Sequence, residues 1–229
     1  IRENMHSPPC RAGCNLALCA LLGHRQRQQN LLVVSPVSQD NPHNPPVPDF
    51  RDLPERIATL IVTALRNERG VHAETAIATA AVLVGECVLR AHIANLSDLP
   101  PQSALLSDDV NRTLFEGDHQ LTISDVFINA LFAQGIDVST QSWIETIPEE
   151  HQLILDPLAV IARIRPQLET AFTQAGAHEM LERAYATATA TALLVAQTRK
   201  VLDPNIGKAL ALEAILRGAK TVPMPTETS

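Results

Sequence analysis

Aromatic residues make up only 3% of this 229-residue chain: one Trp, one Tyr and five Phe. A core with so few large anchors must be packed from small side chains set close together. Glycine is scarce too, nine in all. None falls in a Gly-x-Gly-x-x-Gly or Walker arrangement, which leaves no phosphate-cradling loop. No Gly-x-Ser-x-Gly elbow occurs, and no pair of histidines has the i, i+4 spacing around a Glu that a zincin needs. Heptads sustained long enough for a coiled coil are absent. Basic residues form no run, and the net charge is −7. Residues before Val47 carry +2, which leaves −9 for the remainder. An acidic body without a basic stripe gives no footprint for nucleic acid or anionic lipid. A transcription factor ranks last among the readings on the same ground, because the best recognition-helix candidate, around Arg112, is too acidic.

Cysteine is also short, at four. Cys10, Cys14 and Cys19 lie in the first twenty residues and Cys87 stands alone in the body. That is no disulfide framework, so a reduced, cytoplasmic chain is the expectation. The apolar stretch Cys14 to Gly23 invites a signal-peptide reading. Arg25 and Arg27 follow it, however, and no Ala-x-Ala site lies between, so export is not expected. Residues 1–49 read as a disordered extension, or one foreign to the native chain. They end in the proline-rich linker Ser35 to Pro48. A single helical domain is expected over 50–223, with 224–229 as a tail.

What the body does have is helical punctuation. Asp52 before Pro54, Asp156-Pro157 and Asp203-Pro204 each put a cap ahead of a proline in the first turn. Ile57, Leu60, Ile61, Ala64 and Leu65 recur at helical spacing, and Gly70 stops that segment. A long helix follows over about 72–94, with Glu86 and Arg90 expected to pair on its outer face. Ser107 or Asp108 caps a short helix to Phe115, Ser124-Asp125 caps another to Ala133, and a further short one is expected over Thr140 to Ile147. Pro166 predicts a kink or restart. A helix over about 177–202 carries alternating Ala and Thr, where length and Ala content outweigh the period of two. The last helix is expected to stop at Gly218, with a tail from Val222. The fold class is therefore all-α, a compact bundle of seven to nine helices without a sheet. Ala76 and Ala80, with Ala184, Ala188 and Ala192, predict that the two long helices pack against each other.

Three segments bear on chemistry. His72-Ala73-Glu74 is the fragment that binds zinc and shuttles protons in cytidine-type deaminases. Zinc needs three converging protein ligands, and the Pro-Cys-x-x-Cys half is missing downstream. The alternative is a helix start, with His72 at the cap and Glu74 at the positive end of the dipole. Asp108, Asp109, Asn111 and Arg112 could hold a polar ligand or a cation through oxygen, but lack the Gly and Glu of a calcium loop. They also read as a solvated helix start. Glu149-Glu150-His151 could form a metal or acid–base cluster, though no third ligand is identified, or a plain polar loop.

Gly70-Val71-His72-Ala73-Glu74-Thr75 with its Ala-rich helix, the stretch Asp109-x-Asn111-Arg112-x-Leu114-x-Glu116, and Leu202-Asp203-Pro204 with Glu213-Ala214 and Lys220-Thr221-Val222-Pro223 together resemble an uncharacterised family. Its members are small, all-helical bacterial proteins, mainly proteobacterial. The chain departs from that pattern at Val84-Gly85-Glu86, where the family has Ala-Gly-Phe. The resemblance covers roughly residues 50–223 and implies a bacterial cytosolic protein, with no particular chemistry. With no catalytic constellation, the residues point away from an enzyme and toward a helical protein acting through protein–protein contacts, with a partner or with itself as a homo-oligomer. No cofactor, metal, nucleic acid or membrane is expected. The alternative is a small-molecule or metal-binding site built from His72, Glu74, Asp109, Asn111 and Arg112, with His151 as a further candidate. That alternative requires these side chains to converge.

Overall fold

The computed structural model describes residues 50–116, 121–137 and 147–225. Seven α-helices lie among them: α1 Leu53–Leu65, α2 Ala73–His92, α3 Asp108–Phe115, α4 Ile123–Ala133, α5 Pro157–Ala175, α6 Met180–Thr198 and α7 Pro204–Ala219. No strand occurs among the described residues, which carry only two isolated bridges. The helices belong to the unit Val47–Ser229. The unit Ile1–Pro46 that precedes it, the linker and Trp143 with its expected helix lie outside the described residues.

The Asp-Pro signals start helices for the anticipated reason. Asp156 accepts the Leu158 N–H and Asp203 the Asn205 N–H, each with Pro in the first turn. At α1, Asp52 holds the cap position without a side-chain cap bond. Ser107 caps α3 by accepting from the Val110 N–H. The cap of α4 differs from expectation. Thr122 and Asp125 exchange side-chain-to-backbone bonds in a capping box, while Ser124 donates instead to the Leu114 carbonyl. That second bond ties α4 to the end of α3. Glu179 and Glu182 form the equivalent box for α6, which makes that helix shorter than 177–202.

Pro166 does not interrupt α5, which runs unbroken to Gly176. The proline sits on the exposed face, while Ile161, Ile164, Leu168 and Phe172 are buried on either side of it. Burying each such side chain stabilises by about 1.5–3 kcal/mol, enough together to outweigh one lost backbone bond. Gly176 then closes the helix at φ 77, the left-handed conformation that glycine adopts without strain.

The Ala/Thr alternation of α6 is helical because its buried hydroxyls find acceptors one turn back. Thr187 donates to the Arg183 carbonyl at 2.7 Å and Thr191 to Thr187 at 2.9 Å. Thr79 of α2 does the same to Thr75 at 2.7 Å. A buried hydroxyl satisfied inside its own helix needs no partner across the interface, so the small faces can close.

Every residue of α2 from Thr75 to Leu89 is buried. By length and composition α2 could cross a membrane, and in this fold it is the central core helix. It packs against α6, as its small residues predict, and still more extensively against α7. The second contact was not legible from the alanine faces. Gly85 and Gly218 meet backbone to backbone. A Cβ on Gly218 would lie 2.1 Å from the Val82 carbonyl oxygen, and one on Gly85 would lie 2.1 Å from the Ile215 oxygen. Gly218 is therefore not the stop of the last helix but an interior residue, placed where only hydrogen fits. The chain after α7 is not a loose tail either. Val222 is buried and exchanges backbone bonds with Gln102 and Ser103, both at 2.9 Å.

One expected surface pair lies inside. Glu86 is 1% exposed. Arg90 Nε donates to its Oε1 at 2.7 Å, as the spacing requires. Arg165 of α5 adds a forked contact, Nη1 to Oε1 and Nη2 to Oε2. Burial works against the Arg165 charge, but the Glu86 hydrogen bond and charge outweigh it and raise its pKa above the ordinary value. Cys87 beside them is buried, and burial with the Glu86 charge pushes its thiol up to about 12.

Candidate ligand-binding site

The five residues singled out in the sequence do not form one group. His72 and Glu74 start α2, whereas α3 lies at its other end, where His92 meets Thr113 at 2.8 Å. Twenty residues at 1.5 Å rise separate the two ends by about 30 Å. Asp109 and Arg112 form an exposed i, i+3 pair at 3.0 Å. With Asn111 beside them they are the solvated helix start, which contributes little.

The first two residues do converge, with a partner from far along the chain. His151 belongs to a single turn, Glu149–His151, and its Nδ1 lies 2.9 Å from Glu74 Oε1 across 77 positions. His72 Nε2 lies 3.4 Å from Glu74 Oε2. Thr75 completes the group: its N–H and its hydroxyl both reach His72 Nδ1, and its oxygen accepts the Ile154 N–H at 3.2 Å.

The direction of every bond here can be deduced. A backbone N–H can only donate, so His72 Nδ1 is an acceptor and the ring proton sits on Nε2, pointing at Glu74. A carboxylate can only accept, so His151 Nδ1 carries the other proton. Glu74 thus accepts the His151 N–H on Oε1, while the His72 ring faces Oε2 at a longer distance. Burial raises the Glu74 pKa, but the hydrogen bond from His151, its own backbone N–H and the nearby imidazoles outweigh that, and the net direction is down. His151 Nε2 is the ring nitrogen that this contact leaves over.

The deaminase fragment sits at the start of α2, with His72 at the cap and its ring beside Glu74. No group of three or more His, Cys, Asp or Glu that could hold a metal ion occurs among the described residues. His24, His43 and His119 lie outside them.

His151 also lines a cavity of about 620 Å³ between α2, α7 and the segment 147–153. Its buried floor is Ala78 and Val82 of α2 with Leu210 and Ala214 of α7. Glu149, Gln152, Glu213 and Arg217 stand at its exposed rim. A shallower depression of about 290 Å³ adjoins it along Leu153–Pro157 and Arg217, where Arg217 pairs with Asp156 at 2.8 Å. Nothing in the local pattern marks these floor residues. Ala78 and Val82 carry the same small-residue signal as the rest of α2, and only the position of α7 distinguishes them.

One prediction concerns acid. The folded pKa of Glu74 lies below its ordinary 4.5, so ionised Glu74 stabilises the fold above that value and the contribution is lost as pH falls through the folded value. Denaturant midpoints should therefore drop on acidification below about pH 4.5. Glu74→Gln should be less stable than wild type at neutral pH, with the gap narrowing in acid. A constant gap would show that the carboxylate charge is irrelevant here.

No family model, curated protein or solved structure matches this chain.

Proposed function

We propose that the protein binds a small amphipathic molecule in the cavity between α2 and α7. The single observation that carries this reading is that His151 both lines the cavity and is held, through Nδ1, by the half-buried Glu74 carboxylate. Ligand pockets of this size combine apolar walls with a few fixed polar groups, and an imidazole with one nitrogen tied down is held in a fixed orientation on the wall. The described lining residues include no Ser, Thr or Cys. The pair therefore supports recognition better than it supports nucleophilic catalysis.

Ala214→Phe tests the reading. Ala214 is on the cavity floor, so the ring should fill the space and weaken binding of amphipathic fragments at least about tenfold, with helicity unchanged. Undiminished binding would move the ligand elsewhere.

A second reading keeps the contact function suggested by the sequence. Ile154 and Leu155 are exposed side by side at the rim of the smaller depression, and Phe115 and Phe132 are exposed on α3 and α4. Large apolar side chains in water favour a protein partner or a second copy. Light scattering should then show mass rising with concentration, and Ile154→Lys should return the protein to monomer. A wild type that stays monomeric at high concentration would discount self-association.

A further inference from the structure

Resting on the cavity reading above, we infer that the ligand is a small organic cation: an alkylammonium, with a protonated amine at the rim and an aliphatic body on the floor. The floor selects the body. Ala78, Val82, Leu210 and Ala214 are buried and offer no hydrogen-bonding side chain. A second polar end directed at them would lose its hydration without replacement.

The rim selects the charge. Among the described residues its ionisable side chains are Glu149, Glu213, His151 and Arg217. Arg217 is the permanently charged cation of this set, and it is already paired with Asp156. Counting Glu149 and Glu213 with that neutralised pair leaves a net negative rim, and the Glu74 carboxylate stands behind His151. Direction of hydrogen bonding agrees with charge. Carboxylates only accept, and Glu149 and Glu213 place two of them at the rim. An ammonium group is the complement: it donates three hydrogen bonds and accepts none. A carboxylate ligand would face like charge and too few donors. A neutral alcohol would satisfy the floor but gain nothing from the charge.

The test uses the full chain and three probes of equal length, hexylammonium, hexanol and hexanoate, titrated while NMR chemical shifts are followed. Shifts should centre on Val82, His151, Leu210 and Ala214. Hexylammonium should bind at least about tenfold tighter than hexanol, and hexanoate more weakly than hexanol. The preference should shrink as salt is added, because the rim charges are exposed. Glu149→Gln combined with Glu213→Gln, both at exposed positions, should remove most of the ammonium preference and leave hexanol binding unchanged. Hexanoate or hexanol binding as tightly as hexylammonium would overturn the cationic assignment while leaving the cavity as a site. If none of the three probes binds, or if the shifts centre elsewhere, both the assignment and the cavity reading fall.

Discussion

Gly218→Ala is expected to lower the melting temperature by roughly 6–12 °C or to prevent folding. The added methyl would sit 2.1 Å from the Val82 carbonyl oxygen, with the Val82 Cα and carbonyl carbon at 2.9 Å. These are backbone atoms of a buried helix and cannot rotate away. The only relief is for α7 to move off α2, which loosens the packing along the whole contact. Overpacking of this kind costs 1–3 kcal/mol where side chains can adjust. Here they cannot, so about 3 kcal/mol is the lower bound, at roughly 2–4 °C per kcal/mol for a domain of this size. Gly207→Ala on the same helix is the control. Its nearest neighbour is a Val195 methyl at 3.1 Å, a side chain that can shift, and alanine gains up to about 1 kcal/mol in helix propensity. Its midpoint should stay near wild type. Gly85→Ala should match Gly218→Ala. The double variant should cost less than the two together, because the first methyl opens the gap that the second would enter. Independent additivity would show that the glycines do not share one crossing.

Glu86→Ala is expected to destabilise by about 3–5 kcal/mol, the usual result of removing one partner from a buried ion pair. The loss falls on Arg165, whose side chain is only 12% exposed and whose Nε is buried without a partner. Arg90, at 34% exposed, can turn to solvent and should matter less. Replacing both partners, Glu86→Leu with Arg165→Met, should recover much of the loss, since apolar substitutes of similar volume need no counter-charge. Chemical denaturation of the four members of the cycle measures the coupling. A double variant as unstable as the singles would mean that the site requires charge in its own right. Such destabilisation should also be visible as alkylation of Cys87. That thiol is buried and raised to about 12, which makes it inert while the fold is closed.

The sequence disclosed most where the cause was local. Asp-Pro starts, the Ser107 cap and the apolar periodicity of α1 depend on neighbours within four residues, and they can be read from those neighbours. His72 was legible as a helix cap because a cap is satisfied by its own next turn. Its site was not, because the group that completes Glu74 arrives from 77 positions away. His151 stood in a polar stretch that resembled any solvated loop. Glu86 misled for a related reason. Its i+4 partner is real, and nothing in the local pattern announced Arg165 as a third member on the buried side. Gly218 shows the remaining difficulty. A glycine that ends a helix and a glycine that lets another helix touch it are the same letter, and only the neighbour decides between them.

The Gly85–Gly218 crossing also bears on how the chain is made. Its two halves are roughly 130 positions apart, a long-range closure of the kind that slows folding. While the polypeptide is being synthesised, α2 exists without its principal cover. At about 5–20 residues per second, the interval between completing His92 and completing Ala219 is roughly 6–25 s. During that time the helix that the fold buries from Thr75 to Leu89 lacks its α7 cover. The nascent chain is therefore at its most aggregation-prone just before the last helix emerges. Release factors or stop codons that end translation ahead of Gly218 should yield a product dependent on chaperones, not a smaller stable domain.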